Sequence, residues 1–268
     1  MKKVDVAEVL RTKAPAAARY LPGFLTNYLR RIVHEDELNE VLTLYDGLPP
    51  AEFARRALAH IDVKYSAVGL DNIPLGGRYI FASNHPFGGA DGMMIADLLE
   101  ARFGDVRVVV NDILMNLYPL KPIFLPVNKH GRQNAEYARC AAEAFDSDIP
   151  VLTFPAGLCS RRTRGVVADS EWKGNFIKRA VATRRDVVPV FVEGQLSNFF
   201  YRLSNVRKAL GIKANIEMLY LADELFRQRG STFRIIFGEP VPWSSLEAGR
   251  NTGKYALMIR EKAYNLKK

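Results

Sequence analysis

Residues 79–92 read YIFASNHPFGGADG, and this stretch decides the fold. The apolar run over residues 79–83 predicts a buried β-strand, because a strand covered on both faces has few polar positions. The loop that follows contains Gly88 and Gly89, and the pattern from Asp91 to Glu100 predicts a helix. The stretch therefore begins a strand–loop–helix unit of the kind that builds parallel sheets.

The rest of the chain repeats this alternation of apolar strands and helices. Further strands are predicted at Val106–Val110, Ile123–Leu125, Pro150–Phe154, Val187–Val192 and Phe233–Phe237. Further helices are predicted over Asn134–Phe145 and Lys173–Thr183, up to Arg229, and after Thr252. This order predicts an α/β fold with a largely parallel sheet flanked by helices over residues 63–268. In such sheets, reactive groups collect on loops at the carboxyl ends of the strands.

Residues 1–62 show helical spacing and no strand pattern. Apolar residues recur at helical spacing after Pro22, and further helices are predicted over Glu35–Tyr45 and from about Ala51 to His60. Residues 46–50, DGLPP, are a strong turn signal between the last two helices. We therefore divide the chain into an N-terminal helical extension, residues 1–62, and an α/β domain, residues 63–268.

Composition limits the classes of partner. The chain has 268 residues, of which 48% are hydrophobic, so it can bury a sizeable core. The net charge of +9 favours acidic partners such as an anionic membrane surface. We expect no nucleic-acid partner, because no basic, aromatic sheet pattern or recognition-helix motif is present. The chain has two cysteines, too few for a disulfide framework, which is typical of a reducing compartment.

The same features predict a cytoplasmic protein that is peripheral on the inner face of the cell membrane. No apolar run is long enough to span a bilayer, and no apolar stretch resembling a signal peptide follows the first residues. Basic residues in the helical extension suit anionic lipid: Lys2, Lys3, Arg11, Lys13, Arg19, Arg30 and Arg31. The alternative is that the apolar face of these helices packs on the α/β domain. The two interpretations are compatible if the apolar face packs on the domain and the basic face contacts lipid.

The loop after the first strand carries the first candidate site. Pro86 keeps His85 out of helical geometry, and Asp91 stands at the start of the next helix. A carboxylate on one imidazole nitrogen fixes the tautomer and lets the other nitrogen take a proton. His85 and Asp91 are therefore a candidate general base and its partner. The alternative is structural, with Asp91 as a helix cap and His85 as a hydrogen-bonding residue.

The loop after the strand at residues 150–154 carries the second candidate site. Gly157 permits a tight turn, Ser160 can donate a hydrogen bond, and Arg161 and Arg162 have planar guanidinium groups suited to an anion. Cys159 lies between them, and an inert buried thiol is the usual state of a lone cysteine. Taken alone, this pattern is more often a solvated basic loop. No histidine or cysteine spacing suggests a metal site.

Together the two loops resemble the glycerophosphate and lysophospholipid acyltransferase superfamily. Its first motif, Asn-His followed by a spacer and Asp, corresponds to Asn84-His85 and Asp91, and its third to Phe154-Pro155-Ala156-Gly157 with Ser160-Arg161. Residues 123–132, which contain Lys129 and Arg132, loosely match the second motif. The strand with an internal proline at residues 187–191 matches the fourth. The four motifs occur in the family's order, over about residues 63–240.

Two departures from the common pattern point to one branch of this superfamily. The spacer between His85 and Asp91 has five residues where four is commonest, and Ala156 stands where Glu is usual. Both resemble the bacterial hemolysin-like branch, which includes enzymes that O-acylate lyso-ornithine or lyso-glycine lipids. The resemblance extends through residues 197–200 and 226–230. It implies a lyso-aminolipid acceptor, with 1-acylglycerol-3-phosphate as the alternative.

The resemblance also implies a mechanism. A fatty acyl thioester, either acyl-ACP or acyl-CoA, is a substrate, and no cofactor is needed. His85 deprotonates the acceptor hydroxyl, Asp91 orients His85, and backbone N–H groups near Gly157 hold the oxyanion. Arg161 would bind the anionic head group, and Arg162, Lys129, Arg132 and Ser160 are further candidate substrate contacts. The alternative mechanism is an acyl-cysteine intermediate on Cys159. The alternative functions are a thioester hydrolase and a non-catalytic lipid-binding protein of the same fold.

Overall fold

The computed structural model describes residues 3–13, 15, 19, 22–111, 114–115, 117–127 and 135–267. Lys129 and Arg132, predicted to bind substrate, lie outside the described residues.

The sheet predicted from the sequence is present and largely parallel. Its strands are β1 (Lys64–Val68), β2 (Tyr79–Ser83), β3 (Arg107–Asn111), β4 (Phe124–Val127), β5 (Val151–Thr153), β8 (Asp186–Val192) and β9 (Thr232–Phe237). They lie in the order β1-β9-β8-β2-β5-β3-β4, and the five strands from β8 to β4 are mutually parallel. The pair β1 and β9 is parallel within itself and joins β8 in the antiparallel sense.

Helices cover both faces of the sheet, as predicted. They are α1 (Val6–Lys13), α2 (Gly23–Val33), α3 (Glu35–Leu44), α4 (Pro50–His60), α5 (Ala90–Phe103), α6 (Ala135–Asp146), α7 (Asn175–Thr183), α8 (Asn198–Ala209), α9 (Leu221–Phe226) and α10 (Thr252–Asn265). In β2, Phe81 packs into the same cluster as α5, whereas Ile80 and Ala82 pack with α6, α7 and α10. The strand is buried on both faces, which explains its uninterrupted apolar sequence.

The parallel register brings the carboxyl ends of β2, β5 and β8 to one edge. Ser83 of β2 pairs with Val190 of β8, and Ala82 pairs with Thr153 of β5. The Asn84 side chain closes this edge, because its Nδ2 donates to Val192 O at 3.0 Å and its Oδ1 accepts from Val192 N at 2.7 Å. The two loops singled out in the sequence therefore begin side by side.

Within residues 1–62 the structure describes four helices, of which α2, α3 and α4 match the three predicted from the sequence and α1 precedes them. Helix α2 has one packed side and one exposed side. Ile32 is buried, and His34, just after α2, stacks on Phe226 at 4.2 Å between ring centroids. Phe24 and Tyr28 are exposed on the same helix. Within the described residues, none of the helices has the length and apolar character needed to span a membrane. The division of the chain at residue 62 stays a prediction.

Two features of the fold were absent from the sequence-based prediction. Strand β1 has no apolar run, because as an edge strand it alternates between exposed and half-buried residues. The second loop contains a small antiparallel hairpin, β6 (Arg161–Thr163) and β7 (Val166–Ala168). Its two-residue turn has positive φ at Arg164 and Gly165, 51° and 81°, the geometry favoured in tight hairpins.

Candidate active site

His85 and Asp91 meet at the carboxyl edge of the sheet, as the motif spacing predicted. His85 Nδ1 lies 3.1 Å from Asp91 Oδ2. The Asp91 side chain is fully buried, whereas 15% of the His85 side chain is exposed. A carboxylate in this position fixes the imidazole tautomer and stabilises its protonated form.

Asp91 also supports the loop that carries His85. Its Oδ2 accepts the Phe87 N–H and its Oδ1 accepts the Gly92 N–H, both at 3.0 Å. Asp91 is the second residue of α5, and Gly89 occupies the cap position. The loop needs Gly88 at φ 78°, where a side chain would also meet Leu221 at 3.0 Å. The carboxylate therefore combines a role at the helix start with a contact to the imidazole.

Phe154 fixes the plane of the His85 ring. This residue follows β5, and its ring stacks on the imidazole with 4.0 Å between centroids and 27° between planes. The stacking comes from the first residue of the third motif, so the two motifs contact each other directly. An imidazole between an aromatic face and a buried carboxylate has little rotational freedom, which suits a group that must take a proton at a fixed position.

The second loop turns back onto the first through Gly157 and Ser160. Gly157 has φ 68°, and its N–H donates to Phe154 O at 2.9 Å, closing a tight turn. Ser160 is buried, with its N–H donating to His85 O at 2.8 Å and its hydroxyl donating to Asp169 Oδ1 at 2.6 Å. Ser160 therefore contacts His85 directly, and Gly157 closes the turn that precedes it.

Arg161 is buried in an ion-pair cluster. Its Nη2 lies 2.9 Å from Glu217 Oε1, and its Nη1 donates to Cys159 O at 2.8 Å. Arg207 approaches the other Glu217 oxygen at 2.8 Å, and Glu217 itself is fully buried. The guanidinium of Arg161 is therefore held by protein groups, and its predicted role in binding the acceptor is a matter for experiment.

Arg162, the next residue, lies toward the surface. It is half-buried, its guanidinium lies 4.8 Å from the Tyr201 ring centroid, and its Nη1 donates to Asn198 Oδ1 at 2.7 Å. Side chains alternate in direction along a strand, and this places Arg161 and Arg162 on opposite sides of β6. Of the two arginines, Arg162 is the one that solvent reaches.

Cys159 is buried beneath the second loop. Its Sγ accepts from Arg161 Nη1 at 2.8 Å and contacts Met218 Sδ at 3.7 Å. Burial raises the pKa of the Cys159 thiol to about 11, against the opposing effect of the Arg161 charge. A buried thiol that stays protonated at neutral pH is a poor nucleophile.

Several residues of the site escaped the sequence-based prediction. Asp169 bonds to the main chain of His85, and Glu217 pairs with Arg161. Both are single acidic residues outside the motifs, and nothing in their local sequence distinguishes them from surface carboxylates. The motif contains Asn84 but does not reveal its structural role, which is to join the end of β2 to β8 through two hydrogen bonds to Val192.

At the carboxyl edge of the parallel sheet, a partly exposed imidazole contacts a buried carboxylate. This arrangement is suited to general-base catalysis. The chain belongs to the acyltransferase family, whose family model matches residues 8–268. It is an acyltransferase of lipid biosynthesis, as the sequence motifs indicated.

Two curated relatives resemble the chain along nearly its whole length. A lyso-glycine lipid O-acyltransferase of Bacteroides thetaiotaomicron is 44% identical over 98% of this chain and 97% of its own. A lyso-glycine lipid O-acyltransferase of Phocaeicola vulgatus is 42% identical over 98% of this chain and 95% of its own. These similarities confirm the predicted superfamily and its lyso-aminolipid branch.

A solved structure shares the fold. The 1-acyl-sn-glycerophosphate acyltransferase PlsC of Thermotoga maritima matches 98% of this chain and 92% of its own, with a TM-score of 0.50 and 17% sequence identity. At this identity the likeness concerns the fold, and it confirms the predicted α/β architecture.

Proposed function

We propose that the chain transfers a fatty acyl group from an acyl thioester to the hydroxyl of a lyso-aminolipid, with lyso-glycine lipid as the first acceptor to test and lyso-ornithine lipid as the second. The observation that carries the chemistry is the contact of 3.1 Å between His85 Nδ1 and buried Asp91. The choice of acceptor is supported by the two relatives, whose similarity covers 98% of this chain.

The proposed reaction is a direct transfer. His85 takes the proton of the acceptor hydroxyl as the oxygen attacks the thioester carbonyl carbon. The carbon–sulfur bond then breaks, and the departing thiolate takes the proton from the imidazolium, so that His85 returns to its neutral form. Asp91 stabilises the imidazolium in between. Gly157 contributes the turn that brings the second loop against His85. Because the N–H groups of Gly157 and Ser160 bond to protein carbonyls, other backbone N–H groups near Gly157 would hold the oxyanion.

The proposal assigns the anionic group of the acceptor to the outward side of the second loop. Arg162 is reachable by solvent and can make charge-assisted hydrogen bonds to a carboxylate. Ser160 and Arg161 would hold the second loop in place, and they remain proposed contacts for the acceptor. Lys129 and Arg132 remain proposed contacts for an anionic substrate. The donor is an acyl-ACP or acyl-CoA thioester, which serves as a substrate, so no cofactor is required.

We place the enzyme on the inner face of the cell membrane, as a peripheral cytoplasmic protein. A largely aromatic surface supports this: Phe24, Tyr28, Phe199 and Leu219 are exposed, and Tyr220 beside them is half-buried. Phe24 is 71% exposed, and the Tyr28 and Tyr220 hydroxyls lie 2.7 Å apart. The Phe199 and Tyr220 rings meet at 4.9 Å between centroids. Phe199 follows Asn198, the partner of Arg162, so this surface borders the proposed acceptor contact.

Basic residues accompany the aromatic surface. Arg31 lies 5.3 Å from the Tyr28 ring centroid, and Arg30 is half-exposed on the same helix. Aromatic side chains beside cations suit the interface of an anionic bilayer, where the rings enter the headgroup layer and the cations meet lipid phosphates. The lysolipid would then pass from the bilayer to His85 without crossing water.

The decisive experiment is acyl transfer with purified protein and radiolabelled acyl-ACP or acyl-CoA. Lyso-glycine lipid, lyso-ornithine lipid and lysophosphatidate are offered separately, and both acylated lipid and free fatty acid are measured. We expect acylated aminolipid that disappears in His85→Ala. Product from lysophosphatidate alone would overturn the acceptor, free fatty acid alone would indicate a hydrolase, and lipid binding without turnover would indicate a non-catalytic protein.

A further inference from the structure

Asp169 lies buried where the two site loops meet. It follows β7, and its Oδ1 accepts two hydrogen bonds, one from the His85 N–H at 3.2 Å and one from the Ser160 hydroxyl at 2.6 Å. The first comes from the loop that carries the general base, and the second from the loop of the third motif. One carboxylate oxygen thus joins the two motifs.

These contacts close a ring around the main chain of His85. The Ser160 N–H donates to His85 O at 2.8 Å, so Ser160 contacts His85 directly and also through Asp169. Both polar main-chain atoms of His85 are therefore fixed by groups of the second loop and its continuation. Asp91 fixes the side chain of the same residue.

Asp169 is itself rigidly placed. Its Oδ2 accepts from Trp172 Nε1 at 3.0 Å, and its N–H donates to the Tyr264 hydroxyl at 2.8 Å. Its carbonyl oxygen accepts from Arg260 Nη2 at 3.0 Å. Burial raises the pKa of the Asp169 carboxyl, while hydrogen bonds from Ser160 and Trp172 and the charge of His85 act in the opposite direction.

We propose that Asp169 is a positioning residue for acyl transfer, which fixes the main chain of His85 against the second loop and whose charge stabilises the imidazolium that forms when His85 takes a proton. The inference rests on the proposed function, in which His85 is the base. A general base must hold its nitrogen within hydrogen-bond reach of the hydroxyl, and small displacements reduce the rate strongly.

Asp169→Asn tests the proposal. Three donors converge on the carboxylate, whereas an amide has one acceptor oxygen and one donor nitrogen, so in the variant at least one of the three donors faces another donor and the side chain is displaced. We expect kcat to fall about tenfold or more while the acceptor KM changes by less than about threefold. The acidic limb of the pH profile should also move to lower pH, because an anion near the imidazolium is lost. Among the described residues, the other charged or titratable groups that contact Asp169 or His85 include Asp91, Arg260 and Tyr264, and these remain in the variant.

Asp97→Asn is the matched control, because Asp97 is another buried carboxylate, bonded to the Tyr65 hydroxyl at 2.6 Å. It should lose stability and keep kcat and the pH profile. Ser160→Ala opens the same ring but keeps the Asp169 charge. It should lower kcat and leave the acidic limb in place. If Asp169→Asn does not fold, Ser160→Ala decides, and an unchanged kcat in that variant overturns the proposal.

The remaining outcomes separate this inference from the proposed function. An Asp169→Asn variant with wild-type kcat, or with an unmoved acidic limb, overturns the inference. The same holds if Asp97→Asn loses activity to the same extent, because any buried carboxylate would then have this effect. If His85→Ala itself keeps wild-type transfer, the proposed mechanism fails, whatever Asp169 does.

Discussion

The loop after β2 and the loop after β5 carry the two strongest motifs of the chain, yet they present their residues in opposite ways. The first loop holds His85 partly exposed above buried Asp91. The second buries Ser160 and Arg161, whereas the neighbouring Arg162 is half-buried and lies toward solvent. Motif residues therefore need not all be substrate contacts.

The difference follows from what each loop must hold in place. In the first loop, Asp91 accepts two backbone N–H groups and still contacts the imidazole. In the second, the Arg161 charge is balanced by Glu217, and Ser160 bonds to the main chain of His85. The second loop therefore supports the first.

The largest expected effect lies in the first loop, with His85→Ala and Asp91→Asn. A positioned general base supplies about 100- to 10,000-fold, so each variant should lose most of its kcat. The double variant should be little worse than His85→Ala, because the two residues act as one unit. If Asp91 were only a helix cap, Asn would be nearly silent. Near wild-type transfer by Asp91→Asn in a steady-state assay would reduce Asp91 to a helix cap, and near wild-type transfer by His85→Ala would remove the first loop from the chemistry.

The second effect concerns the buried side of the second loop. Arg161→Ala leaves Glu217 with only Arg207 as its ion-pair partner in the described structure, and breaking a buried pair typically costs about 3–5 kcal/mol. We expect a large fall in the melting temperature. Arg161→Lys keeps the charge but loses the planar fork, so it should fall between Arg161→Ala and the wild type.

Kinetics of Arg161→Lys, measured below its melting temperature, then assign the role of this residue. A raised acceptor KM would show that Arg161 also contacts the acceptor, as its motif predicts. A normal acceptor KM with a lowered melting temperature would show that Arg161 stabilises the second loop without contacting the acceptor.

The third effect concerns Arg162, on the outward side of the same loop. A hydrogen bond to a charged group contributes about 1.5–3 kcal/mol, so Arg162→Ala should lower kcat/KM for the acceptor by roughly tenfold or more. The melting temperature should change little, because the side chain is half-buried and its polar contact is with exposed Asn198. An unchanged kcat/KM for the acceptor would mean that Arg162 does not bind the head group.

The sequence predicted the first loop better than the second for a physical reason. His85 and Asp91 are six positions apart, and strand β2 followed by helix α5 leaves few ways to arrange so short a loop. The partners of the second loop are distant in sequence: Ser160 bonds to Asp169, and Arg161 pairs with Glu217, 56 positions away. Local patterns cannot show which distant carboxylate enters a core.

The same distinction explains the fold. Strands buried on both faces, such as β2 and β8, have continuous apolar runs and were predicted almost to the residue. Edge strand β1 and the hairpin of β6 and β7 have mixed, partly exposed sequences, and their pairing depends on neighbours that local patterns do not show.

The fourth effect tests whether the outward side of the second loop continues into a membrane surface. The variant Phe24→Ser with Phe199→Ser should weaken binding to anionic vesicles by about tenfold or more, since burial of a phenylalanine contributes about 1.5–3 kcal/mol. Binding should also weaken as salt screens the basic residues. The control is Leu75→Ser with Leu257→Ser, two similarly exposed apolar residues outside that surface. Equal flotation of both variants, or equal binding to neutral and anionic vesicles, would contradict the assignment.

The smallest expected effect is that of Cys159→Ala, and it separates direct transfer from an acyl-cysteine intermediate. Burial keeps the pKa of the Cys159 thiol at about 11, and its sulfur contacts Arg161 and Met218 beneath the second loop. At neutral pH the thiolate is therefore scarce, which favours the proposed direct attack of the acceptor hydroxyl on the thioester. We expect kcat within about twofold of wild type and a stability loss on the order of 1 kcal/mol from the small cavity. Mass spectrometry of the protein incubated with acyl donor alone provides the second measurement. An acyl adduct on Cys159, together with loss of transfer in Cys159→Ala, would place the nucleophile in the second loop and reverse the division of roles.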